Sequence, residues 1–193
     1  MSDEGTRAAG PPPGYHPPPQ GPVPSHPMQS GVPATGAYAS WGSRFSAYLL
    51  DGLLVFAVMV VPMVIGLVVV FRDAEIDPVT DELTSLDMSG LLLVVLGFGL
   101  GLAVDVWNRV FRQGRRGQSL GKQVLGIKVV ALTHGAPIGT GSGLGRWAMQ
   151  SVVPGLVPFL GSVYVLVDGL FPLWDEKHQA VHDKAVGSVV VRA

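Results

Sequence analysis

RFSAYLLDGLLVFAVMVVPMVIGLVVVF, residues 44–71, opens on an arginine and then runs apolar to its end with one charge inside it, Asp51. A membrane span needs roughly 20 apolar residues at about 1.5 Å rise each, so this stretch is long enough to cross a bilayer. A carboxylate placed within a span costs about 2.5–3.5 kcal/mol on insertion scales. Asp51 must therefore have a partner or a use.

Two further apolar runs follow, over residues 90–111 and 146–174. The first holds Asp105, Asn108 and Arg109 near its far end, and its GFGLG segment sets Gly97 and Gly101 four apart. Small residues at that spacing let helices approach closely, which offers the pair as a contact between copies in a homo-oligomer. The second run contains Pro154, Pro158 and Asp168. At helical rise it reaches roughly 40 Å, too short for two full crossings and long for one. It is read either as one kinked span or as a short re-entrant half-helix with a return from Pro158. The re-entrant form is preferred because QVLGIKVVAL (123–132) and VGSVVV (186–191) read as strands whose pairing needs a common side. The expected fold is an all-α integral membrane protein with three transmembrane helical segments, the third kinked or preceded by a re-entrant half-helix, plus a small cytoplasmic β element.

Loop charges orient these segments. Residues 72–90 carry six acids against Arg72, whereas residues 109–146 carry seven bases and no acid. The positive-inside rule places the basic loop in the cytoplasm. The amino terminus, and with the re-entrant form the carboxyl terminus, then share that side of the cell membrane.

With 193 residues, 48% hydrophobic, 14% charged and mean hydropathy +0.40, the chain has too little polar surface for an ordinary soluble domain. A net charge of −1 gives no reason to expect nucleic acid, and the absence of cysteine excludes disulfides and thiol chemistry. Residues 1–40 form a separate Pro/Gly-rich tail, read as disordered and extended and suited to docking a cytoplasmic partner. Residues 41–193 form the membrane domain. Asp3 and Glu4 stand where a leader would be basic, so the first span is expected to act as an uncleaved anchor.

Asp51, Asp105 and Asp168 each fall about 10 Å inside a cytoplasmic helix end at helical rise, so they are candidates for one polar pocket on an ion or proton path. Arg44 and Asp51, seven apart, share a helix face but stand too far apart for direct contact. Asp105 and Arg109 are spaced to pair within one helix. Gly117 to Lys122 lacks the glycine spacing and the Ser/Thr of a phosphate loop. His178 and His182 lack the glutamate of the zinc-protease motif and leave a metal site incomplete. His182, Asp183 and Lys184 read instead as a polar turn anchoring the last strand. No nucleophile stands beside a His/Asp pair, so neither an enzyme nor a cofactor is implied.

In order along the chain, RFSAYLLDGLL, GQSLGKQVLGIKVV and HDKAVGSVVV resemble the motifs of the RDD family of prokaryotic membrane proteins, over about residues 40–193. The resemblance matches Arg44 and Asp51 to the family's arginine and first aspartate, Gly117, Gly121 and Lys122 to its cytoplasmic Gly-Gln-Ser/Thr-Leu-Gly-Lys segment, and Asp183 to its last aspartate. It implies a multi-pass membrane protein, with transport, including cation/proton exchange, as the suggested activity. The function expected is movement of a cation or its exchange for protons through the intramembrane aspartates. The alternative is a non-transporting scaffold that recruits a cytoplasmic partner through the tail.

Overall fold

The computed structural model describes residues 38–193 apart from 73, 78, 80–82, 86 and 157; nearly all of the proline-rich tail lies outside them. Helix α1 spans Trp41–Arg72 and α2 spans Met88–Arg116, and both are long and apolar enough to cross a membrane. Between them lie two short paired strands, β1 (Glu75–Ile76) and β2 (Leu83–Ser85). Asp87 caps α2, its carboxylate accepting from the Ser89 and Gly90 N–H groups at 2.6 and 3.3 Å. The helix passes through a π turn at Trp107–Arg112 and stops at Gly117, whose φ of 75° is the left-handed cap a glycine supplies without strain.

Helices α1 and α2 meet along glycines. A Cβ on Gly97 would stand 2.7 Å from the Met59 carbonyl oxygen, and one on Gly101 2.9 Å from Met59 Cβ. Gly66 and Gly90 face each other in the same way. The expectation that Gly97 and Gly101 join two copies is therefore corrected: their open side is filled by α1 of the same chain. The outward faces remain apolar, with Phe56, Leu92 and Phe98 more than half exposed, as suits helices whose solvent is lipid.

Past Gly117, helix α3 (Leu120–Val124) leads into β3 (Ile127–Ala131). This strand pairs antiparallel with β4 (Ser188–Arg192), Ile127 opposite Arg192 and Ala131 opposite Ser188, which realises the pairing read from the sequence. Tyr38 bridges to Val191 and the Ala39 N–H donates to the Val190 carbonyl, so the folded part begins by residue 38. The sheet and the start of α1 hold the buried apolar core, built on Ala39, Ala47, Ile127, Val129 and Val190.

Between the paired strands the chain leaves and returns. Helix α4 (residues 139–156) contains a π turn at Ala148–Val152; α5 (Pro158–Leu170) ends in a 3-10 turn, Phe171–Leu173. A Cβ on Gly161 would collide with the Pro154 carbonyl. In one continuous helix residues seven apart lie about two turns, roughly 10 Å, from each other, so the two arms fold back as a hairpin. Two helices are long and apolar enough to cross, and the expected third segment is this hairpin, which turns back before Pro158 as in the re-entrant form; its α5 has 13 residues against the roughly 20 a full crossing needs. Helix α6 (Val181–Ala185) then carries the chain into β4.

Candidate functional site

Asp51, 2% exposed, is held at the start of α1 by three donors from two other segments. Asn108 Nδ2 reaches Oδ1 at 2.7 Å, the Gly121 N–H reaches the same oxygen at 2.8 Å, and the Ser119 hydroxyl reaches Oδ2 at 2.6 Å. Asn108 comes from the π turn of α2, and its own carbonyl accepts the Leu120 N–H at 2.8 Å. Gly121 has to be glycine, because a Cβ there would collide with the Ala47 carbonyl and lie 3.1 Å from Asp51 Cγ. Arg112, also in the π turn, donates to the Gln118 carbonyl at 2.7 Å and to Gln123 Oε1. The family-like glycine-lysine segment is thus a clasp folded over Asp51.

Arg44 and Asp183 make a second clasp. The Arg44 guanidinium meets Asp183 Oδ2 at 2.8 Å and also points at the Val190 and Ala39 carbonyls, at 3.3 and 3.4 Å. Arg146 binds the other Asp183 oxygen and the Ser188 hydroxyl. Asp183 also accepts the Ala180 N–H at 3.1 Å, so it caps α6. Burial alone would lift this carboxyl, but Arg146, Arg44 and the Ala180 N–H override it and hold the group well below the ordinary carboxylate range.

Asp168 sits on α5 and accepts twice from residue 182, from its N–H at 2.9 Å and its Nδ1 at 2.6 Å. The other ring nitrogen, Nε2, lies 3.1 Å from the Arg146 guanidinium. Arginine only donates, so toward Arg146 Nε2 accepts and Nδ1 carries a proton aimed at Asp168, while Asp183 Oδ1 lies 3.4 Å from the same Nε2. Gln150 stands 3.2–3.3 Å from the same ring.

These groups border a cavity of about 310 Å³ between the start of α1, α3, α4 and α5. Arg44, Lys122 and Arg146 line it with a single carboxylate, Asp168. Burial, with repulsion from Arg146, pushes the Lys122 ammonium down to about 7; its amine lies 3.4 Å from Ser119 Oγ.

The three candidate acids are therefore not brought together. Asp51 is enclosed by its clasp, and Asp168 lines the cavity. Asp105 pairs with Arg109 at 2.8 Å, as its spacing suggested, and accepts from Trp147 Nε1 at 2.7 Å. His178 and His182 do not act as a pair, since both ring nitrogens of His182 are engaged with other groups. Of the expected polar turn, His182 and Asp183 are buried beneath β4, while Lys184 reaches Asp175 at 2.5 Å. Sequence reasoning missed Arg146, Ser119 and Gln150 as site residues. Arg146 was visible only as one base in a basic loop, and nothing local to it announces Asp183.

The RDD family model matches residues 38–187. The chain belongs to the RDD family. Among curated relatives, the proline-rich antigen homolog of Mycobacterium tuberculosis is 36% identical over 162 residues, covering 81% of this chain and 64% of the relative. The proline-rich antigen of Mycobacterium leprae is 31% identical over 159 residues, covering 79% and 60%. This RDD chain thus spans about three fifths of the length of the relatives it matches. No solved structure matches it. Arg44, Asp51 and Asp183, the residues that resemble the family's arginine and aspartates, are the anchor points of the two clasps.

Proposed function

We propose that this RDD protein is a proton-linked transport protein of the cell membrane, with its sheet end in the cytoplasm and its proton taken at the Asp168–His182 pair. What supports this is the facing of Arg146 and His182 Nε2. A second proton on the ring would set donor against donor, and Arg146 would have to withdraw. Arg146 and Arg44 share Asp183, so that withdrawal disturbs the joint between α1 and the carboxyl-terminal segment, and both border the cavity. The charged groups facing His182 are Asp168 on α5, Arg146 on α4 and Asp183 on its own helix, with Arg44 and Lys122 also on the cavity wall. Arg44 and Arg146 on the wall already share Asp183, which leaves Lys122 as the base an anionic cargo would meet, and this sets the reading apart from cation exchange.

The test is proton movement in vesicles carrying the full chain and an internal pH-sensitive dye. His182→Gln and Asp168→Asn should each abolish the proton movement while melting stays within a few degrees of the parent. Undiminished movement in both variants would sink the proposal.

A further inference from the structure

Three observations about the cavity point to what it holds. Its floor carries Arg44, Arg146 and Lys122; the first two share Asp183, and Lys122 has no carboxylate within ion-pairing distance among the described residues. Two residues of its lining carry unused donors: Arg146 Nε and the Tyr164 hydroxyl are buried with no hydrogen-bond partner among the described residues, in a side chain that for Arg146 is 3% exposed. A buried polar group left unpaired costs about 1–3 kcal/mol, so such groups mark where a ligand supplies the missing acceptor. Finally, the rim is apolar and open: Phe45 and Tyr48 of α1 and Leu166 of α5 are 50–63% exposed, on helices whose outer faces suit acyl chains.

A cationic floor beneath an apolar rim fits an amphiphile. We infer that the cavity seats the phosphate head group of an anionic membrane lipid, with the guanidinium of Arg146, the ammonium of Lys122 and the hydroxyl of Tyr164 as donors and the acyl chains lying against Phe45, Tyr48 and Leu166. Three donors from three separate elements, α3, α4 and α5, suit a head with three outward oxygens better than the two of a carboxylate. The depressed Lys122 ammonium agrees, since burial and the like charge of Arg146 outweigh the nearby Asp51. A choline head would bring a second cation against Lys122 and Arg146, so zwitterionic lipid is selected against. This deepens the reading of the cavity as an anion site but rests only on the membrane setting. Proton movement lost in His182→Gln with lipid binding kept leaves it standing.

The experiment is native mass spectrometry of the full chain in mild detergent, titrated with phosphatidic acid, phosphatidylcholine or inorganic phosphate. One phosphatidic acid should be retained about tenfold more tightly than phosphatidylcholine, a gap of about 1.4 kcal/mol. Lys122→Gln should weaken it about fivefold, the effect of one basic residue near an anionic head. Tyr164→Phe, which removes only an unpaired hydroxyl, should weaken it in the same direction. Arg115→Gln, an exposed base outside the cavity lining, should leave it unchanged. Equal retention of phosphatidylcholine would overturn the inference, and so would unchanged phosphatidic acid affinity in the Lys122→Gln/Tyr164→Phe double variant. Full displacement by inorganic phosphate at matched concentration would assign the site to a free anion and overturn the lipid.

Discussion

Replacing Asp51 by asparagine separates a clasp from a pathway. The carboxylate accepts from Asn108, Gly121 and Ser119 at 2.6–2.8 Å. Hydrogen bonds to a charged acceptor contribute about 1.5–3 kcal/mol each, against about 0.5–1.5 for neutral ones. Asparagine keeps one oxygen, which suits the two N–H donors that share Oδ1, and turns its amide toward Ser119, whose hydroxyl rotates to accept. Two bonds lose their charge and the third is reversed, a loss of about 3 kcal/mol by those figures. Burying a neutral amide in place of a charge returns part of this, leaving about 2 kcal/mol. For a chain of this size that is roughly 4–8 °C in melting temperature, read by intrinsic tryptophan fluorescence of the purified protein on heating. Asp51→Leu leaves all three donors unpaired and should cost at least twice as much. If Asp51→Asn melts with the parent, or the leucine variant is no worse than the asparagine one, Asp51 does not clamp the fold, and its place on an ion path becomes the better account.

Gly121→Ala should destabilise by about 1–3 kcal/mol, because its Cβ meets the Ala47 backbone carbonyl; Gly42→Ala, with nothing within 4 Å, is the matched control, and equal melting of the two would refute the contact. Arg44→Lys keeps the charge facing Asp183 but loses the reach to the Val190 and Ala39 carbonyls, and should lower stability by about 1–2 kcal/mol in the same assay. Because the folded-state carboxyl of Asp183 is depressed, its stabilisation is present above the unfolded carboxylate range near pH 4 and is lost as pH falls below it. Acid titration of the parent should thus show a loss of stability that Asp183→Asn, already weakened at neutral pH, does not. For orientation, single cysteines at the exposed Val79 and Lys184 should label from opposite sides of sealed vesicles, Val79 from outside; labelling from one side would reject the two-helix crossing.

The two long helices and the pairing of β3 with β4 were legible in the sequence, because hydrophobic length and runs of branched residues report local preference directly. Pro154 and Pro158 signalled a break, and the excess length over one span signalled a return, but only the approach of Gly161 to Pro154 establishes the hairpin. The shared pocket of three acids was not legible. Counting residues from a helix end gives depth and says nothing of the direction a side chain takes around the axis, and Asp51, Asp105 and Asp168 face different neighbours. Gly97 and Gly101 failed for a related reason: a small-residue face announces a close partner without saying whether that partner is the same chain. Arg44 and Asp183 lie 139 residues apart, so their pairing depends on the whole fold being in place.

The seven-residue spacing of Arg44 and Asp51 acquires its meaning here. Two turns apart, they lie on one face of α1, yet each is claimed by a different segment: Arg44 by Asp183 of α6, Asp51 by Ser119 and Gly121 at the start of α3. The head of α1 is thus gripped at two levels by chain from beyond both long helices, and the cavity opens beside the same turns. Asp51 accepts from three uncharged donors and is not part of the cavity lining, so it can hold α1 while the other grip changes. Asp183 instead shares its charge between Arg44 and Arg146, and Arg146 touches His182, so the upper clasp alone connects to the Asp168–His182 pair. On the proton-linked reading proposed above, α1 would pivot about Asp51 and be released at Arg44. Of the three candidate acids, the one that looked most like a pathway residue is thus the one most completely enclosed.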